Sequence, residues 1–218
     1  MKFTLTYEGE LPSSGNSSKK VEEKWTIRKQ ISPQLADLWK IHPALIRAMN
    51  NRVVPKTGPF NLATPHHTDN TAYPTLQDAI REGLHMPDNH MDLCASIPVG
   101  KVNFRPLVRD SYALACSLHI LFMRKGAVGK VYQGGDLDNR IKTLLDALSV
   151  PDANQVCDES ELNMHCLLEN DRLVTGLTVE TRQLLNRPGS NETEVKLFMD
   201  VAVSVTDART YNTLFLGD

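Results

Sequence analysis

Several absences narrow this chain before any motif is read. No stretch approaches the roughly 20 consecutive apolar residues of a membrane helix, and the amino end, MKFTLTYEGELPSSGN, has no apolar run behind its single lysine. A cytoplasmic protein that spans no membrane is expected. The four cysteines, Cys94, Cys116, Cys157 and Cys166, are far apart and form no CxxC pair, so all four are expected reduced. A net charge of -2 excludes nucleic-acid binding by overall basicity, while leaving room for a local basic patch. Gly134 and Gly135 are not followed by GK[ST], and no GxGxxG follows a strand, which argues against a nucleotide cofactor. His66 with His67, and His85 with His90, read as loop histidines rather than a zinc set, because sequence neighbours do not converge on one ion unaided.

What is present is core-forming material: 41% of the 218 residues are hydrophobic, 23% charged and 6% aromatic, the proportions of one globular domain over 1–218. Residues 2–7 alternate, with Phe3, Leu5 and Tyr7 on one face, and predict a strand. The polar stretch from Gly9 to Lys20 predicts a mobile loop. Ser32 and Pro33 read as the opening of a helix that Pro43 kinks or ends. Residues 25–98 read as a large insertion or extended loop and helix region, with one short helix at 76–84. Leu114, Cys116, Leu118, Ile120 and Phe122 predict a core strand, followed by the glycine-rich AVGKVYQGG. Ile141, Leu144, Leu145 and Leu148 then stand at i, i+3, i+4 and i+7, an apolar helical stripe ended by Val150 and Pro151. Residues 158–168 predict another short helix. Residues 173–181 and 195–205 alternate and predict two strands, antiparallel across NRPGSNE. The order implies an α/β fold, a mixed sheet with helices packed on it.

The chemistry concentrates in DLDNRIKTLLDAL. Asp136 and Asp138 flank Leu137 where an extended segment turns both side chains one way, and Asp138 also suits a helix N-cap. Lys142 and Asp146 follow at four and eight residues, on a face beside the apolar stripe. An N-cap, a turn aspartate and an ordinary Asp–Lys surface pair account for these residues equally well.

GGDLDNRIKTLLDAL resembles the signature of RusA-like Holliday junction resolvases, D-x-D-N-x-x-K-x-x-x-D-A-L, through Asp136, Asp138, Asn139, Lys142, Asp146, Ala147 and Leu148. The resemblance covers about residues 111–206 with the first strand, and implies a RusA-like sheet carrying a large N-terminal insertion. It also implies a further acid before a strand. ENDRLV, which precedes the stronger strand, is the preferred match, making Asp171 that acid, with Asn170 departing from the family's acidic pair and Glu169 as an alternative; DESEL, with Asp158 and Glu159, keeps the family's spacing but precedes a weaker strand and is the competing match. The implied protein is a Mg²⁺-dependent endonuclease that hydrolyses phosphodiester bonds in branched DNA, with Mn²⁺ as a possible substitute and a homodimer as the working unit.

Physically, an aspartate cluster of Asp136, Asp138 and Asp171 suits a hard ion that prefers oxygen ligands, and Lys142 beside it suits developing charge on phosphate oxygens. Asn139 fits a ligand-orienting or capping role, and Asp146, two turns along, a structural one. Arg124, Lys125, Lys130 and Arg140, with Lys19 and Lys20 behind them, are the residues placed to meet a DNA backbone. Two alternatives stay open: a non-catalytic nucleic-acid or protein-binding module, and a nuclease on single-stranded or flap substrates.

Overall fold

The computed structural model describes residues 1–11, 17–50, 52–56, 90–125, 137–157, 162–185 and 194–216. A four-stranded sheet is built from β1 (Lys2–Glu10), β6 (Leu114–Arg124), β8 (Val174–Gln183) and β9 (Glu194–Val205), in the order β1-β9-β6-β8. β9 runs antiparallel to both β1 and β6, and β8 runs parallel to β6, so this sheet is mixed. A second sheet joins β4 (Ile97–Val99), β5 (Val102–Val108) and β7 (Leu162–Leu168), with β5 and β7 parallel. A short ladder pairs β2 (Val53–Pro55) with β3 (His90–Asp92).

Strict alternation makes the large sheet two-faced. Leu5 and Tyr7, with Leu118, Ile120 and Phe122 of β6 and Leu197, Met199 and Val201 of β9, are buried on one face, while Thr4, His119 and Asp200 lie in register on the other. Among the described residues three helices supply the cover: α1 (Ser17–Ile41), α2 (Pro43–Asn50) and α3 (Leu137–Leu148). In α3 the expected stripe is the buried one, with Ile141, Leu144 and Leu148 in the core and Leu145 packed against it.

α1 is where the sequence reading needs most correction. It begins at Ser17 rather than near Ser32, so Lys20 lies on a helix and not in a loop, and Pro33 is an exposed interior residue. A mid-helix proline costs roughly 3 kcal/mol. Burial on two faces offsets this: Ile27, Ile31, Leu35 and Leu38 enter the main core, while Trp25 joins Val102, Phe104, Met164 and Cys166 in a smaller one. The helix thus stands between the two sheets, and α1 and α2 bring Ile27, Leu35, Trp39, Ala44 and Leu45 into the main core. Pro43 does end α1, and opens α2 as its first residue.

Two further expectations change. Residues 162–168 form β7 and not a helix, with Met164, Cys166, Leu167 and Leu168 buried against β5 and α1. β8 and β9 run in opposite directions but are not neighbours, because β6 lies between them. The face expected for 173–181 is broken by a register shift at Cys116/Ser117, which leaves Thr175 as an extra residue. The helix expected at 76–84 lies outside the described residues.

Candidate active site

Asp138 is in the first turn of α3, one residue inside the helix rather than at its cap. The free N–H groups of that turn carry partial positive charge, which favours a carboxylate there. Lys142 follows at i+4, so both side chains leave the same side of α3 one turn apart, and both are exposed. Neither forms an ion pair among the described residues. The opposite face of the helix is held by Ile141, Leu144 and Leu148, which fixes the direction in which Asp138 and Lys142 project.

Asp146, the next member of the row, is committed elsewhere. Its carboxylate meets Lys24 Nζ at 2.6 Å, and Arg28 donates to its main-chain oxygen at 2.8 Å. Both partners lie on α1, so one turn of α3 is tied to the helix between the sheets. Burial, as the leading cause, lowers the Arg28 pKa to about 10, with the Asp146 charge among those opposing the shift. The expected structural role of Asp146 matches this placement. Lys24 and Arg28 escaped the sequence reading, although they sit four residues apart on what proves to be one helix.

Arg124 ends β6 and Lys125 follows it, while Arg140 lies in the first turns of α3. Arg140 donates to the Leu11 carbonyl at 2.5 Å, so part of its guanidinium secures the chain after β1. Its pKa is lowered by burial first and then by the charge of Arg124. Lys130 and Asp136 lie outside the described residues. Lys20 is half-buried on α1, and the side chain of Lys19 is not described.

The third carboxylate does not arrive where the preferred match put it. Asp171 opens a single 3-10 turn, Asp171–Leu173, just before β8. Leu168 bridges Ser149, the residue after α3, and Arg172 reaches Asp110 at 3.4 Å beside the start of β6. Asp171 therefore stands by the carboxyl end of α3, and Asp138 by the amino end; the eleven residues from Asp138 to Ser149 span about 16 Å of helix. Glu169 Oε2 accepts from the Asp110 N–H at 2.9 Å, fastening the same far corner. Asp171 and Glu169 are thus not brought to Asp138. A strand follows DESEL as well, since β7 starts at Leu162. Asp158 and Glu159 themselves lie outside the described residues.

Among the described residues no three histidine, cysteine or acidic side chains stand together as a metal-binding group. The chain matches no protein-family model, no curated protein and no solved structure.

Proposed function

We propose that the chain is a Mg²⁺-dependent endonuclease of RusA-like type that cuts branched DNA, with its active site at the amino end of α3. The observation that carries this reading is the exposed Asp138 and Lys142, one turn apart on a helix whose next acid, Asp146, is committed to Lys24. Opposite charges left without partners among the described residues, on a helix held rigidly from behind, suit a site that receives both a cation and a phosphate. The donor set is all carboxylate oxygen, which fits a hard divalent ion and not zinc.

Asp136, Asp138 and Glu159 would hold the ion, with Glu159 replacing Asp171 for the geometric reason given above. When bound, Mg²⁺ supplies positive charge to the phosphate oxygens and lowers the pKa of a coordinated water. Lys142 places its ammonium beside the same phosphate, where it stabilises charge that grows on oxygen as the P–O bond lengthens. Arg124 and Lys125 neutralise neighbouring phosphates and position the strand without reading its sequence. Arg140 contributes charge to that surface while holding Leu11.

Incubating the full chain with a four-way junction, a linear duplex and a single strand, each with Mg²⁺ or EDTA, tests the reading. Junction cleavage that requires Mg²⁺ supports it. Cleavage confined to single strands or flaps moves the substrate, and junction binding without cleavage in Mg²⁺ or Mn²⁺ removes the enzymatic assignment.

A further inference from the structure

One edge of the large sheet is closed and the other is open. At the β1 edge, two glutamines of α1 stand in for a neighbouring strand. Gln34 accepts from the Thr6 N–H at 2.9 Å and donates to the Thr6 carbonyl at 2.7 Å, and Gln30 does the same for Glu8 at 3.3 and 3.0 Å. The β8 edge has no such cover among the described residues, and no lysine or proline of the strand guards it. After a bulge at Thr175, residues 176–183 pair with β6 without interruption. The Leu184 N–H bonds Arg124 O at 2.6 Å, so even-numbered residues turn their main-chain groups toward β6. Residues 177, 179, 181 and 183 therefore turn N–H and C=O groups outward, the row that a further strand needs.

The side chains along this edge say what the further strand carries. Leu177 and Val179 share the core face of the sheet with their β6 neighbours Leu118 and Ile120, yet Leu177 is 44% exposed, and Leu185, beyond the end of the strand, is 81% exposed. Apolar side chains of an added strand, at every second residue, would lie beside them. On the opposite face Arg182 gives Nη2 to Glu180 at 3.0 Å and has no other partner among the described residues, so most of its donors stay unused. Glu180 is met from its other side by His119 at 3.2 Å. Its charge is thus already shared, and the Glu180 that a second copy of this chain offers is shared in the same way. We propose that the β8 edge takes an extended segment of a different protein as an antiparallel fifth strand, with apolar residues opposite Leu177 and Val179 and a carboxylate opposite Arg182. Neither Asp138 nor Lys142 takes part, so cleavage by Arg182→Glu should stay at the wild-type level, and failure here leaves the nuclease reading untouched.

The probe is a labelled synthetic peptide of about eight residues that alternates valine with threonine and carries one glutamate at the threonine position that falls opposite Arg182. Its fluorescence anisotropy is followed with the full chain, and melting curves control for folding. Binding with a Kd of about 100 µM or tighter is expected. Methylating the valine amide nitrogens, whose N–H groups face β8, should abolish binding, whereas methylating those of the threonines should leave most of it. Thr181→Pro removes an outward N–H that the single chain does not use, and is expected to stay folded and lose the peptide. Arg182→Glu should weaken binding by about tenfold or more, and exchanging the peptide's glutamate for lysine should recover most of that loss. No binding up to about 1 mM, binding indifferent to which amides are methylated, or binding unchanged in Arg182→Glu overturns the proposal. So does a wild type that self-associates in sedimentation runs and is returned to monomer by Thr181→Pro, since a second copy then fills the edge.

Discussion

Replacing Asp146 by alanine separates the two halves of the acidic row on α3. The Lys24 ammonium lies 2.6 Å from the carboxylate, with its side chain only 12% exposed and that of Asp146 31% exposed. Breaking a fully buried pair by removing one partner costs about 3–5 kcal/mol, because the other charge stays behind without compensation. Partial exposure of Asp146 lets water replace some of what is lost, and alanine is the better helix former by a few tenths of a kcal/mol. A net loss of about 2 kcal/mol follows from these opposing effects. For a chain of this size that corresponds to a fall in melting temperature of roughly 4–8 °C. Urea unfolding of Asp146→Ala, Lys24→Met and the double variant measures the coupling directly. In the Lys24→Met background only the weaker charge interaction with Arg28 is left, so adding Asp146→Ala there should cost about 1 kcal/mol or less. Cleavage by the folded fraction of Asp146→Ala should stay within about threefold of wild type, since the carboxylate acts on α1 and not on substrate. Unchanged stability together with lost cleavage would refute this reasoning and return Asp146 to the chemistry.

Lys142→Ala should slow junction cleavage by about 10²–10³-fold, the effect of losing one preorganised donor, while a filter-binding isotherm moves little, since one phosphate contact is a small part of affinity. Glu159→Gln should damage cleavage far more than Asp171→Asn, measured side by side at saturating Mg²⁺; the reverse order means that ENDRLV is the second motif after all. The His165 ring packs against Trp39, and burial first, then the charges of Arg105 and Lys40, pushes its pKa down to about 4. The unfolded chain therefore takes up a proton near pH 6.5 that the folded one refuses, so stability falls as pH drops from about 6.5 to 4. With partial solvation the loss should be about 2 kcal/mol, and His165→Gln should lack that part of the acid slope in urea titrations at several pH values.

Elements whose side chains repeat with the backbone's own period were legible in advance. β1, β6 and β9 alternate cleanly, and the α3 stripe at Ile141, Leu144 and Leu148 falls at helical spacing, so burial follows directly from sequence. α1 was obscured because Pro33 has the form of a helix opening, whereas packing on two cores carries the helix through it. β7 was obscured because Asn163 and His165 interrupt its apolar run; Ser32 Oγ accepts from the His165 N–H at 2.9 Å, a tertiary contact that no local pattern contains. The placement of β6 between β8 and β9 is likewise a matter of long-range pairing. At the site, Asp138 and Lys142 were readable because charges beside an apolar stripe must face outward. The third acid was not legible because the choice between ENDRLV and DESEL turned on which segment precedes a strand, and a strand follows each.

The most direct test of the site is the single-turnover cleavage rate of Asp138→Asn on a four-way junction in Mg²⁺, set against wild type at matched folded concentration. Asp138 is exposed and touches no ion-pair partner among the described residues, so the substitution should cost no more than about 1 kcal/mol of helix-end stabilisation. Its loss of carboxylate charge should nevertheless abolish turnover, because a neutral amide does not hold a divalent ion in its place. An undiminished rate in a stably folded Asp138→Asn protein contradicts the assignment of the active site to the amino end of α3.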